Sequence, residues 1–204
     1  VNFDIFSNLN FPNFIIFFLL LILGLTLINC INFMDGIDGL VASNIFLILL
    51  NYSLSNSLDL IAIPIVLFVF LFYNWSPAKL FMGDSGSTFL GIILFYVIIS
   101  QNDLNSSLLI ISTASALLMD SIVCIFRRLN NKENIFTPHK KHLYQRLNQN
   151  GMSHQKVAAI YAIGTLILIF FSQTNNLVLM SSLVFVLFLF GIYLEKNYAK
   201  PFNY

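Results

Sequence analysis

Two short segments of this chain crowd carboxylates and carboxamides beside glycine. The first reads Asn29-Cys30-Ile31-Asn32-Phe33-Met34-Asp35-Gly36-Ile37-Asp38-Gly39-Leu40. Asn29, Asn32 and Asp35 recur at helical spacing, so their side chains can share one face at the end of a helix. Gly36 and Gly39 then allow a tight turn or a close approach of backbone to a ligand. A plain Asx/Gly turn between helices is the alternative, but two Asp and two Asn exceed what a turn requires. An EF-hand loop is excluded, because its later ligands are missing. The second segment reads Leu80-Phe81-Met82-Gly83-Asp84-Ser85-Gly86-Ser87 at the head of an apolar run. Asp84, Ser85, Ser87 and the free amides of a helix start make an anion-friendly site. A metal ion on Asp84 would suit that site to a diphosphate. Gly-Asp-Ser-Gly also surrounds serine-protease nucleophiles, but a tetrapeptide is weak evidence. Intramembrane aspartyl proteases carry Gly-x-Gly-Asp, and Phe81 stands here where the first glycine is required.

Two further positions carry chemistry. Asp120 lies in an apolar run ahead of Arg127 and Arg128. An acid within a span is a functional candidate, while a hydrogen bond to a neighbouring helix or a pair with Arg127 are structural alternatives. Thr137-Pro138-His139-Lys140-Lys141-His142-Leu143-Tyr144-Gln145-Arg146 reads as a helix capped by Thr137 and begun by Pro138. His139, His142 and Arg146 would then form one cationic face suited to phosphate oxygens, and Asn150-Gly151 would end the helix. A bare positively charged loop is the alternative. A zinc site is not expected, since only His154 could add a third nitrogen and no cysteine is near.

These segments need a scaffold, and composition says what kind. Of 204 residues, 58% are hydrophobic and 9% charged, with mean hydropathy +0.83. A soluble domain carries about 25% charged residues, so a soluble globule, a disordered tail and a nucleic-acid binder are excluded. Apolar stretches of bilayer length recur at roughly 13–31, 39–54, 58–75, 87–101, 105–126, 157–173 and 177–194. The fold class is all-α, a polytopic transmembrane bundle of about seven spans forming a single domain. Cys30 and Cys124 both sit in apolar runs and read as small buried hydrophobes. Net charge is +1, but seven of the ten basic residues fall within 127–156, against the single acid Glu133. The positive-inside rule places that loop in the cytoplasm. Counting spans then brings 29–38, 76–86 and the C-terminal tail to the same side, which predicts one cytoplasmic site at the membrane surface.

Taken in order and spacing, 32–39, 80–87 and the Asp120-to-Arg128 pattern resemble the polyprenyl-phosphate N-acetylhexosamine-1-phosphate transferases. This is glycosyltransferase family 4, the superfamily that includes phospho-N-acetylmuramoyl-pentapeptide transferase. The form Pro-His-Lys-Lys-His-Leu-Tyr-Gln-Arg (138–146) is more similar to the O-antigen-initiating branch. The resemblance implies transfer of a sugar-1-phosphate from a UDP-sugar to polyprenyl phosphate, releasing UMP, at a bacterial inner membrane. It implies Mg²⁺, with Mn²⁺ as an alternative ion, held by Asn29 and Asp84. It assigns catalytic roles to Asp35, Asp38, Asp84, His139 and His142. Asn32, Gly36, Phe81, Gly83, Ser87 and Arg146 would bind substrate, with Asp35, Gly36 and Asp38 lining a uridine pocket and Phe81 near the base. UDP-sugar, polyprenyl phosphate and the membrane are the implied partners, a homodimer is compatible, and nucleic acid is not. The family has further spans and a cytoplasmic Asp-Asp pair upstream, so an N-terminal part is expected to be missing and this chain alone is expected not to turn over. An intramembrane aspartyl protease pairing Asp84 with Asp120, or a transporter of an anionic substrate, are the alternatives.

Overall fold

A computed structural model describes residues 12–202 except Ser57 and Phe136. Every regular element among the described residues is helical. Three helices are long and apolar enough to cross a bilayer alone: α1 (Asn13–Met34), α8 (His154–Ser172) and α9 (Leu177–Tyr198). At 1.5 Å per residue, 22 residues reach about 33 Å, the thickness of a hydrocarbon core. Shorter apolar helices are α2 (Leu40–Ser55), α3 (Ala62–Asn74, led by a 3₁₀ turn at Leu58–Leu60) and α4 (Gly83–Ile99). The remaining helices are α5 (Leu104–Thr113), α6 (Ser115–Asn130) and the short α7 (Leu143–Gln149). The chain is a polytopic helical membrane protein.

The helices carry apolar residues all round, as lipid-facing helices do. On α1, Ile16, Leu20, Gly24, Leu27, Ile31 and Met34 face the protein, while Phe14, Phe17, Phe18, Leu21, Ile22 and Leu25 are exposed. The span expected at 105–126 is not continuous. α5 and α6 meet at Ala114 with a bend of 76°. At the end of α5 the Ser112 and Thr113 hydroxyls donate back to the Leu108 and Ile110 carbonyls, a competition with the backbone ladder that favours bending.

Two packings position the site. α1 and α4 run antiparallel, in a register fixed by small residues. A Cβ on Gly91 would sit 2.8 Å from the Ile28 Cα, and Gly24 faces the Phe95 ring. In a bilayer no water is present to drive apolar helices together, so such close backbone approach is a main source of association. α2 and α8 run parallel, tied by Thr165 Oγ1 donating to Asn44 Oδ1 at 2.6 Å in the core and by Gln173 Nε2 donating to Asn51 Oδ1 at 3.0 Å.

Candidate active site

The antiparallel register of α1 and α4 brings the end of one helix to the start of the other, and the two acidic segments meet there. Asn32 Nδ2 donates to Asp84 Oδ1 at 3.2 Å and to Ser87 Oγ at 2.9 Å. Asp35 follows the last turn of α1 and feels the charge of Asp84. Burial, with that like charge added, pushes the Asp35 carboxyl up to about 6. Asp84 sits exposed in the first turn of α4, where the helix dipole favours negative charge. Gly83 has φ +66° with open space around its missing side chain, and Phe81 beside it is 74% exposed. Asn29 lies one turn back on α1. Its carboxamide donates to its own helix, at Leu25 O, so Asn32 rather than Asn29 touches Asp84.

The turn after α1 is pinned from several sides. Gly39 takes φ +75° with the Trp75 ring packed against it, where a Cβ would lie 2.7 Å away. Its N–H donates to Asn74 Oδ1 at 3.1 Å, while Asn74 Nδ2 donates to Leu80 O at 2.9 Å. Buried Asn74 thus stitches the first acidic segment to the second. No motif marks it; a lone Asn closing an apolar run is its one signal in the sequence. Asp38 accepts from the Ala78 N–H at 3.2 Å and lies 3.1 Å from His154 Nδ1. Burial raises its carboxyl, but the bonds from His154, Ala78 and Ser76 outweigh that and lower it below the ordinary value. Asp38 therefore serves the loops, while half-buried Asp35 lies beside exposed Asp84. Gly36 is required for another reason: a Cβ there would meet the Tyr144 hydroxyl at 2.1 Å, and that hydroxyl donates to Phe33 O at 2.9 Å.

The His loop departs from its expected form. Residues 137–142 are not helical; α7 begins at Leu143, with His142 as its cap residue. His139, His142 and Arg146 therefore do not share a helix face. Arg146 is 2% exposed and donates to Glu195, Lys200 O and Lys141 O, a clamp on α9 and the tail rather than a free phosphate ligand. Burial, with His142 and Arg128 adding to it, lowers His139 to about 4, so its ring is neutral near pH 7. Asp120 resolves to a hydrogen-bonding role. Its carboxylate accepts from the N–H groups of Leu143 (2.7 Å) and Tyr144 (3.0 Å) and from the Tyr161 hydroxyl (2.7 Å). An acid from α6 thereby caps α7 in trans. Arg127 pairs with Glu195 instead, and buried Arg128 organises the loop through Glu133, Asn134, Ile135 and Thr137. The expected end of the helix holds, with Asn150 as C-cap and Gly151 at φ +97°. The expectation that no cysteine is near the histidines fails, because Cys124 from α6 lies against both. Cys30 and Cys124 are buried and free, as expected.

Chemically, Asp35, Asp84 and Asn32 offer oxygens at one exposed point, the donor set that hard divalent cations prefer. A protease pairing of Asp84 with Asp120 is not formed, since Asp120 is enclosed under α7 and the acid beside Asp84 is Asp35.

Fold and site define a polytopic membrane protein with an acidic, Asn-lined centre at one end of its helices. The chain belongs to glycosyl transferase family 4, whose family model matches residues 2–102. It is similar to the "Probable undecaprenyl-phosphate N-acetylglucosaminyl 1-phosphate transferase" of Bacillus subtilis (strain 168), 36% identical over 194 residues, covering 85% of this chain and 51% of that protein. It is also similar to the decaprenyl-phosphate N-acetylglucosaminephosphotransferase of Mycobacterium leprae (strain TN), 32% identical over 196 residues, covering 78% and 49%. A phospho-N-acetylmuramoyl-pentapeptide-transferase of Streptococcus mutans is 36% identical over 146 residues, covering 64% and 42%. The chain spans about half the length of the curated relatives it matches.

Proposed function

We propose that this chain is the catalytic part of a Mg²⁺-dependent transferase that moves a sugar-1-phosphate, of the N-acetylhexosamine type, from a UDP-sugar to polyprenyl phosphate. The observation that carries this reading is the meeting of Asp35 and Asp84, with Asn32 bonded to Asp84, at the facing ends of α1 and α4. An oxygen of the lipid phosphate attacks the phosphorus bonded to the sugar. The bond to the bridging oxygen breaks, and UMP departs. Mg²⁺ bound at Asp35 and Asp84, with Asn32 and Asn29 as further oxygen donors, would neutralise the diphosphate. Exposed Phe81 offers a ring for the uracil. Gly83 keeps the start of α4 open to phosphate oxygens, buried Ser87 accepts from Asn32 and holds it there rather than meeting substrate, and Asp38 holds the 35–39 turn in place. The apolar faces of α1 and α4 guide the lipid tail to a centre at the membrane surface. The basic 127–156 loop supports a cytoplasmic site at a bacterial inner membrane.

The test follows the label. Membranes carrying the complete gene product receive a UDP-N-acetylhexosamine with ³²P in the phosphate bonded to sugar, plus polyprenyl phosphate. The label is expected in solvent-extractable lipid, with UMP released in equal amount. Label recovered only as water-soluble sugar phosphate would mean hydrolysis and would overturn the reading.

A further inference from the structure

Behind the His loop lies a cluster of donors that the proposed transfer does not use together. Cys124 Sγ and one ring nitrogen each of His139 and His142 lie within 4.8 Å of one another. We propose that Cys124, His139 and His142 form a site for a borderline-soft divalent cation of the Zn²⁺ type, separate from the oxygen-donor centre at Asp35 and Asp84.

One sulfur and two imidazoles are the donors that zinc selects and magnesium refuses. Bond lengths of about 2.3 Å to sulfur and about 2.0 Å to nitrogen put donors roughly 3.5 Å apart in a tetrahedron, so the cluster needs about 1 Å of closure. His139 can supply that movement, since it lies outside any helix and is only half-buried. Its ring already stacks on His142, with centroids 5.0 Å apart. The His139 Nδ1 accepts from the Lys141 N–H at 3.3 Å, which leaves Nε2 for an ion.

His142 supplies an independent observation. Its side chain is 3% exposed, and its Nδ1 is buried without a hydrogen-bond partner. A buried nitrogen left without a partner is destabilising, and a ligand at the ring relieves it. Asp120 Oδ1 stands 3.7 Å from that atom. An ion held by this ring would give the orphan a partner, by ligation at Nδ1 or, from Nε2, by fixing the proton on Nδ1 toward Asp120, the carboxylate–histidine–metal arrangement that orients ligating imidazoles. Four basic groups nearby share two acids, Arg127 and Arg146 with Glu195, Arg128 and Lys141 with Glu133, so the further negative charge that an ion needs comes from the Cys124 thiolate and from Asp120 behind His142. Three protein ligands leave a fourth position for water, reached past His139. A bound ion would fasten loop 137–142 to α6 and fix the first turn of α7.

The probe is Co²⁺, added to the purified, chelator-treated chain in detergent micelles with neither nucleotide nor lipid present. One equivalent is expected to give tetrahedral visible bands and a near-ultraviolet thiolate-to-cobalt band. Zn²⁺ is expected to erase both, and Mg²⁺ in large excess to leave them. Cys124→Ser is expected to remove the thiolate band, Cys30→Ser to keep it, and His139→Asn, on the half-exposed loop, to weaken binding at least tenfold. The unaltered chain is decisive on its own, so a variant that fails to fold leaves the proposal testable. Absence of a thiolate band in the unaltered chain would overturn the proposal, as would a band that survives Cys124→Ser. Because no UDP-sugar enters the assay, failure of the transferase reading would leave this result standing, and the reverse.

Discussion

Asp35 is a carboxylate placed where it cannot stay ordinary. Burial and the charge of Asp84 hold Asp35 up to about 6, so the fold prefers its neutral form. The stability due to that preference is fully present below the usual carboxylate value near 3.9 and is lost as pH rises through about 6. Bringing the metal-free protein from pH 7 to pH 5 should therefore raise its thermal midpoint through this group. Cation binding at the same carboxylate should fall over the same interval, because protons compete with the ion. Asp35→Asn should flatten both trends, read by thermal unfolding in micelles and by Mg²⁺ competition against a Mn²⁺ relaxation probe. Two trends of the same sign would show that Asp35 does not face the ion. The pair is readable from the sequence, because Asn-x-x-Asp-Gly and Gly-Asp-Ser-Gly name unusual residue sets. That Asn32 rather than Asn29 touches Asp84 is not readable there, since helical spacing puts both on one face and only the partner helix chooses between them.

The elements matter through how closely they approach. Gly91 lets α4 lie against the Ile28 backbone of α1, and this contact sets Asn32 opposite Asp84 and Ser87. Gly91→Val should push the helices apart, lower the thermal midpoint and reduce transfer by more than tenfold. Gly164→Ala, whose nearest neighbour would be 3.7 Å away, should leave both within error. Equal tolerance at the two glycines would contradict the packing account. The helices are legible as apolar runs, and their ends mostly follow polar residues. Two local features are not. The bend at Ala114 hides inside an apolar pattern, because hydroxyls that bend a helix also pass for core residues. The start of α7 is displaced because its cap arrives from Asp120, more than twenty positions upstream. Thr137 has the right chemistry for a cap, yet its hydroxyl is bonded to Asn134 O and Arg128.

At the scale of the whole molecule, apolar side chains cover the outside. Phe17, Phe72, Phe170, Val178 and Phe185 are all more than half exposed, a surface that only lipid or further helices can solvate. Basic residues are concentrated in 127–156, which holds seven of the ten, and this asymmetry predicts orientation. In a variant lacking Cys30 and Cys124, a cysteine at Lys132 should react only from the cytoplasmic side and one at Ser55 only from outside. Labelling of position 132 in sealed cells would reverse the orientation and separate the acidic centre from a cytoplasmic nucleotide. Cys124 beside the histidines is the contact least visible in the sequence, since fifteen positions and a helix end separate it from His139. The central claim is that oxygens at the α1–α4 junction hold the cation that makes UDP-sugar cleavage possible. It is tested most directly by Mg²⁺-dependent UMP release from membranes carrying the complete gene product with Asp84 or with Asp84→Asn. The account predicts that the variant inserts normally and loses about 10²-fold or more in rate, as removal of a principal charge-stabilising group does. An Asp84→Asn protein that released UMP at the unaltered rate under limiting Mg²⁺ would contradict it.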